Sequence, residues 1–427
     1  MQFHRNQIAN IERENNKIKI RRMDHPSCVS DFLRAIYNGI QRGYSDFIIT
    51  FEVNAVFPNA CVPMAGIIDY YSRKGINISY HINNGDYLKK CSFENPLELH
   101  TDEIKALASP FDRLFKYSES SQVSTLTQTF IDTLGRIAQC NKGVIDGIVW
   151  CVNEVMDNVL VHSETEYGYV MSQFHPNTNH IAFCIFDSGI GIYNSLRNSK
   201  HHPHSPLDAI SLSMQEGIGD GKGQGNGLYG LQRIVEFNGG RLTITTGSAS
   251  LMLLKSGERK TFENLPFLDS QSNGTTVDFQ LDISKEIDIQ TVFQSIGGFD
   301  CFDRRIDNML LDNDYLQYDV FENCEGTATR EAGLHVRNDV FNILQRSSSP
   351  IILDFSRVSS VSSSFIDEFV SKLVIQLGIF GFNQFIKIQG MSNTIKYLFE
   401  RSTYMRIHSM WNDREKDIDS FDSLLDA

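Results

Sequence analysis

Long hydrophobic runs, paired cysteines and an excess of positive charge are all missing from this 427-residue chain. No window holds the ~18 consecutive apolar residues that a membrane-spanning helix requires, so no helical membrane span is expected. The opening segment, MQFHRNQIANIERENNKIKIRR, is polar and charged and lacks the apolar stretch of a secretory signal. The eight cysteines (Cys28, Cys61, Cys91, Cys140, Cys151, Cys184, Cys301 and Cys324) include no C-x-x-C pair. Several sit in apolar runs, as Cys184 does in IAFCIF, which favours buried free thiols in a reducing cytoplasm over metal or disulfide roles. Lys and Arg number 39 against 52 Asp and Glu, a formal net charge of -13. An acidic surface repels phosphate backbones and anionic lipid, so neither nucleic acid nor membrane is the expected partner. The P-loop pattern G-x-x-x-x-G-K-[ST] is absent, and so is a Rossmann fingerprint in a βαβ setting.

What remains is an ordinary globular composition, 41% hydrophobic and 21% charged, over a length that fits two or three domains at about 100–200 residues each. Three blocks emerge, at 1–115, 116–285 and 300–415. The first alternates helix (30–43), strand (46–53), helix (60–75) and strand (76–82), an order compatible with a parallel sheet. In the second, a polar stretch, SESSQVSTLTQ (118–128), leads to a helix near 129–139. A long amphipathic helix covers about 143–162, and strands follow at 167–174 and 181–187. A loop rich in Gly, His and Ser spans 188–226, with one short helix at about 206–216. A helix from Gly227 to the NGG at 238–240 and strands at 241–247, 250–255 and 274–281 close the block. The third repeats the alternating order of the first: strand 315–321, helix 334–346, strand 350–356, helix 364–377, strand 385–390, helix 392–403. That is an internal repeat of pattern rather than of residues.

Four motifs in the middle block carry chemistry. On the long helix, VNEVMDNVLVHS (152–163) sets Glu154 and Asn158 one turn apart on a shared face, with Asp157 beside them. Polar groups on a nearly all-apolar, buried helix need partners. A hard cation bound to a nucleotide would supply them, and so would a solvated stripe. After an apolar strand, FDSGIGI (186–192) places Asp187 where it can accept from an exocyclic amine, with Gly189 and Gly191 allowing a sharp turn; ordinary Asp-Ser-Gly turn chemistry is the alternative. GDGKGQGNGLYGL (219–231) brings Gly223, Gly225, Gly227 and Gly230 into a helix start, where free N–H groups face phosphate. In NGTTVDFQL (273–281), Thr275 opens a strand and can reach a base through water.

In this order and spacing the motifs resemble the GHKL ATPase superfamily of gyrase, heat-shock chaperones, histidine kinases and MutL, over about a third of the chain. NEVMDN is similar to its Asn box, DSGIGI and GQGNGLYGL to its glycine boxes, and NGTTVDF to its terminal Gly-Thr strand. The resemblance implies an α/β multidomain protein: a central GHKL α/β sandwich, a mixed sheet over helices, flanked by STAS-like α/β units. It implies ATP and Mg²⁺ as cofactors. Asn158 would ligate Mg²⁺, Glu154 would act as general base and Asp187 would bind adenine. Gly189, Gly191, Gly223, Gly225, Gly227, Gly230 and Thr275 would complete the ATP site, with 223–230 holding phosphates.

Within that superfamily, segment 118–143 has no histidine to serve as an autokinase acceptor, and block three does not read as the transducer domain of MutL or gyrase. The Glu154, Asn158 and His162 spacing looks most like the anti-sigma-factor serine kinases, which phosphorylate partners of the STAS fold. PIILDFSRVSSVSSSFIDEFVSKL (350–373) is similar to the strand–loop–helix of STAS anti-anti-sigma proteins. Position-matching puts the candidate phospho-acceptor at Ser363 or Ser364. Ser362 and Phe365 depart from the family pattern of an acidic residue before and a small residue after, and Ser362–Ser364 could equally serve as a helix N-cap. Block one reads as a degenerate STAS-like unit whose loop, NAVFPNACVP, has no hydroxyl. The expected function is an ATP-binding regulatory protein, a Ser/Thr kinase or ATPase of anti-sigma type. The alternatives are an ATP-gated interaction module or a chaperone- or MutL-like ATPase. The expected partner is a STAS-like or regulatory protein, or a second copy of the chain. His201, His202 and His204, lacking acidic or Cys companions, read as a solvated loop rather than a metal site.

Overall fold

The computed structural model describes residues 10–83, 86–197, 199–222, 225–294 and 304–425. Contacts divide the chain into two compact units, one of Met1–Ile131 with Val144–Phe299, the other of Asp132–Gly143 with Asp300–Ala427. The class is mixed α/β. Among the described residues no helix is long and apolar enough to cross a membrane.

The first unit opens with strands β1 (Ile11–Glu14) and β2 (Lys17–Ile20), helix α1 (Ser27–Ile40), β3 (Asp46–Phe51), α2 (Pro58–Arg73) and β4 (Asn77–Ile82). The sheet order is β1-β2-β3-β4. The hairpin β1–β2 is antiparallel, while β2–β3 and β3–β4 are parallel. The hairpin lies in the opening segment that reads merely as polar. Its signal is the two-residue alternation KIKI, which buries Ile18 and Ile20 and leaves the lysines outside. Short helices α3 (Asp86–Lys90) and α4 (Thr101–Lys105) lead to β5 (Leu114–Tyr117) and α5 (Ser120–Ile137). Helix α5 takes in most of the polar stretch 118–128, so it starts earlier than the expected helix near 129–139. The hydroxyls of Ser124, Thr125 and Thr129 donate to carbonyls one turn back, at 3.1, 2.8 and 2.7 Å, so these residues are accommodated in the helix.

Then come α6 (Val144–His162), β6 (Gly168–His175), β7 (His180–Asp187), α7 (Gly191–Arg197), α8 (Pro206–Ser213), α9 (Gly227–Asn238), β8 (Arg241–Thr246), β9 (Ala249–Leu253), β10 (Arg259–Phe262), β11 (Thr275–Asp282) and α10 (Ile289–Phe293). The sheet runs β10-β9-β8-β11-β7-β6-β5. Every pairing in it is antiparallel, so the mixed sheet implied by the resemblance is not found here; mixed pairing occurs in the first sheet instead. The connections explain this: β6–β7 and β8–β9–β10 are consecutive hairpins, and β11 returns between β7 and β8. Strand β10 and helices α7 and α10 were not foreseen.

Helix α6 covers one face of the large sheet with Ile148, Val152, Val155 and Val159. Helix α2 covers the other, so it is buried along most of its length. Tyr169, Met171, Cys184 and Phe186 join the same apolar cluster as α1, α2 and β3. Burial on both faces is why IAFCIF reads as a continuous apolar run. At Gly66 on α2 a Cβ would overlap the Phe186 ring, so the helix approaches the sheet as closely as glycine permits.

In the second unit α11 (Arg304–Met309) precedes β12 (Leu316–Asp319), α12 (Arg330–Arg346), β13 (Ile351–Asp354), α13 (Ser363–Ile366), a π-helical turn (Asp367–Ser371), α14 (Lys372–Phe385), β14 (Ile386–Gln389) and α15 (Asn393–Leu425). The three strands are parallel, in the order β12-β13-β14. They share the connectivity of β2-β3-β4: parallel strands, taken consecutively, joined through helices. Segment 132–143 is tied in by Asn342, which donates to the Gly135 and Ala138 carbonyls at 2.9 and 2.8 Å and accepts from the Cys140 N–H at 2.7 Å.

Gly66→Ala should lower stability by about 1–3 kcal/mol through overpacking, although alanine favours a helix by ~1 kcal/mol. A denaturant midpoint equal to the parent's would show that α2 can back away from Phe186.

Candidate functional site

A cavity of about 530 Å³ opens between α6, the ends of β7 and β11, and the segment 191–228. Its floor is the large sheet and its wall is α6. Glu154, Asp157 and Asn158 line it from the helix, and Asp187, Thr275 and Val277 from the strands. The sheet aligns the two strand residues, since Thr275 on β11 pairs directly with Asp187 on β7. Asp187 is 5% exposed. Burial pushes its carboxyl up to about 7, offset in part by the Gly189 N–H at 2.8 Å and the Thr275 hydroxyl. Burial also raises the Glu154 carboxyl; neighbouring Asp157 adds to the rise and His162 opposes it. A carboxylate that is hard to ionise holds a proton more readily, the property a general base requires.

The other expected residues separate into two groups. Gly191 and Gly225 line the cavity with φ of 76° and 74°, where a side chain is strained. Gly227, at the start of α9, also lines it; a Cβ there would stand 2.7 Å from Glu154 Oε2 and 3.2 Å from Asn158 Nδ2. The α9 N-terminus therefore faces the two polar residues of α6, as a phosphate cradle needs. Gly189 and Gly230 do not line the cavity. Gly189 is held against the Ser163 carbonyl, and Gly230 against the Trp150 ring. Their role is close packing: Ser163 also accepts from the Ile190 N–H at 2.9 Å, joining the end of α6 to the turn after β7. Gly223 lies outside the described residues.

Several residues were missed. Thr246 accepts from the Ile192 N–H and donates to the Gly274 carbonyl, both at 3.0 Å, pinning the turn that starts α7. Asp220 collects the His162 ring at 2.8 Å, the Ser195 hydroxyl at 2.9 Å and the Lys222 N–H at 3.0 Å. Burial works against its charge, but these bonds hold its carboxyl below the ordinary range. Asp220 thus anchors the glycine-rich loop to α6, and an acid among alternating glycines was its visible signal. His201, His202 and His204 belong to no cluster of three or more His, Cys, Asp or Glu placed to hold a metal among the described residues.

Residues 143–285 match the family model of the histidine kinase-, DNA gyrase B- and HSP90-like ATPases, and residues 332–396 match that of a STAS-like domain of unknown function. The chain carries a GHKL-type ATPase domain and, C-terminal to it, a STAS-like domain. Among solved structures, a mycobacterial sensor histidine kinase, MprB, is similar over 40% of this chain and 98% of its own, at 16% identity and a TM-score of 0.23. The search of curated proteins finds no match. Domains of the GHKL type bind ATP, usually with Mg²⁺. The donors here fit such a complex: a carboxylate in a dry corner for an amine, an amide and a carboxylate on one helix face for a hard cation, and glycine backbone at a helix start for phosphate.

In the STAS-like domain, Ser362 is the N-cap of α13, accepting from the Phe365 N–H at 3.0 Å. The Ser364 hydroxyl is engaged with that of Ser362 at 2.9 Å. Ser363 is exposed. It lines a surface recess with Ser364, Asp367, Arg330, Arg401 and Arg406, in which Arg330 is paired with Glu368 at 3.3 Å and Arg406 with Asp367 at 2.5 Å. Phe365 is buried, so it points into the core and does not crowd the serines.

Asp187→Asn should weaken ATP binding by about 1–3 kcal/mol, the effect of one buried acceptor. Calorimetry giving equal affinities would remove Asp187 from the site. A buried carboxyl raised to about 7 is protonated in the fold when it is already ionised in the unfolded chain. Its contribution to stability is full below the ordinary Asp value of ~3.9 and declines as pH climbs through 7. The nucleotide-free protein should therefore melt lower at pH 7.5 than at pH 5.5, by a smaller margin in Asp187→Asn, as thermal scans can test.

Proposed function

We propose that the chain is an ATP-dependent regulatory protein in which the GHKL-type domain binds Mg²⁺–ATP and transfers its γ-phosphoryl group to a serine of a STAS-like domain. The acceptor domain is this chain's own, a second copy's or that of a separate partner. The observation that carries the reading is the convergence of Glu154, Asn158, Asp187 and Gly227 on one cavity. In this reading Asp187 and Thr275 hold the adenine, and the backbone at Gly225–Gly227 holds phosphate. Asn158 gives an oxygen to Mg²⁺, which would neutralise phosphate charge. Glu154 takes the proton of the attacking hydroxyl. The N-terminal strands β2-β3-β4, sharing the connectivity of β12-β13-β14, serve as a second STAS-like unit. The setting is cytoplasmic signalling, consistent with free cysteines that, Cys324 apart, are buried among the described residues.

The geometry at α13 favours Ser363 over Ser364 as acceptor, because its hydroxyl is the one left exposed while that of Ser364 is engaged. A phosphate there would sit at the helix N-terminus with Arg401 in the same recess, an arrangement that stabilises a dianion. The second reading is an ATP-gated interaction module in which nucleotide opens or closes a lid at about 192–226 and slow hydrolysis resets it. The anchoring of Asp220 to His162 and Ser195 favours it, since that contact is a ready-made latch.

Glu154→Gln should retain nucleotide and lose turnover by about 10²–10⁴-fold; parental rates in the variant would place the base elsewhere. Incubation with Mg²⁺–ATP followed by mass spectrometry should find phosphate at Ser363 in the parent and none in Glu154→Gln. ATP hydrolysis without phosphoserine, alone and with partners, would replace the kinase by the gated module.

A further inference from the structure

The large sheet has a second cavity on its reverse face, about 330 Å³ in volume, enclosed by α1, α2, the loop 262–274 and strands β8, β9 and β11. The alternation of β11 separates the two cavities: Thr275 and Val277 face the first, Thr276 and Asp278 the second. The walls are largely apolar, supplied by Leu33, Pro63, Ile67, Phe186, Met252 and Leu268. Of the charged side chains that line it, Asp31, Arg34 and Asp278, only Asp278 is buried. Asp278 is 7% exposed and has no ion-pair partner among the described residues. Burial pushes its carboxyl up to about 7, with the Asn59 amide and the charge of Arg241 opposing. The Asn59 Oδ1, at the same cavity, is buried without a hydrogen-bond partner. Arg34 on the rim is directed to Asp31, at 3.9 Å.

Two acceptors with unmet capacity in an apolar chamber are costly unless a donor arrives. In the second unit a buried acid is answered from within: Glu368 meets Arg330 at 3.3 Å, Arg337 at 3.2 Å and Lys372 at 2.7 Å. Asp278 has no such answer, and it sits where small-molecule sites are commonly built, in a concave apolar pocket with a few convergent polar groups. At about 30 Å³ per water-sized group, the volume suits a molecule of on the order of ten non-hydrogen atoms. We propose that this cavity is a binding site for a small amine-bearing molecule, whose ammonium group pairs with Asp278 and donates to Asn59 while its apolar frame fills the chamber. The site is independent of the nucleotide cavity and stands whether or not the chain is a kinase.

The test is titration of the full chain with 2-phenylethylamine and with its uncharged analogue 2-phenylethanol, followed by calorimetry and protein NMR. The amine should bind saturably at millimolar concentration or below, shift resonances at Thr276 and Asp278, and exceed the alcohol by about tenfold or more. Asp278→Asn, which keeps size and shape, should bring the amine down to the alcohol's level. Val29→Trp, made from the half-exposed face of α1 at the cavity's edge, should exclude both ligands while circular dichroism stays unchanged. No saturable binding up to ~10 mM, equal affinity for amine and alcohol, or an amine affinity untouched by both variants would each overturn the proposal.

Discussion

The antiparallel pairing of β7 with β11 is the constraint on which the rest of the first unit depends. Because side chains alternate from face to face along a strand, each step of one residue moves chemistry from one compartment to another. Asp187 and Thr275 face the α6 side, while Phe186 and Thr276 face α2. With both faces covered, neither set is left to water. A register slip of one residue would drive Phe186 into the cavity beneath α6 and Asp187 into the apolar cluster around α2. The sheet therefore specifies the site and the core by the same hydrogen bonds.

The two units treat buried charge differently. In the second, acids come with their cations: Glu368 with three, and Asp339 with Arg305 and the Tyr318 hydroxyl. Such groups are compensated within the fold and are costly to disturb one partner at a time. In the first unit, Glu154, Asp187 and Asp278 are desolvated without a matching cation, and all three carboxyls are pushed upward. Each opens on a cavity. Uncompensated burial beside open volume marks a group as a candidate for binding something that arrives from outside.

Much of this was legible in the sequence because the informative residues are local. The Glu154–Asn158 spacing reports a shared helix face whatever the tertiary packing, and Asp187 ends an apolar strand that can only be central. The strand–helix alternation of the last block likewise required no long-range knowledge. What escaped notice depended on partners far along the chain. Thr246 and Asp220 acquire their roles from residues 54 and 58 positions away. Gly189 sits in a motif that signals a turn against the nucleotide and Gly230 in one that signals phosphate, yet packing against Ser163 and Trp150 accounts for them. The β1–β2 hairpin hid beneath its lysines and glutamates, and α5 beneath hydroxyls that bond back to their own helix. The Asp278 cavity was invisible, since no local pattern marks the reverse face of a strand whose front face carries the motif.

The second unit is assembled from two pieces, Asp132–Gly143 and Asp300–Ala427, with most of the GHKL-type domain encoded between them. During synthesis the first piece leaves the ribosome early, and its anchor, Asn342, does not yet exist. At about 5–20 residues per second, it waits on the order of ten seconds or more for α12. Over that interval the carbonyls of Gly135 and Ala138 and the amide of Cys140 are without the side chain that will later satisfy them. The order of the pieces along the chain thus makes the second unit the last to close, and gives Asn342, with Asn338 donating to the Arg136 carbonyl beside it, the task of capturing a segment made two hundred residues earlier.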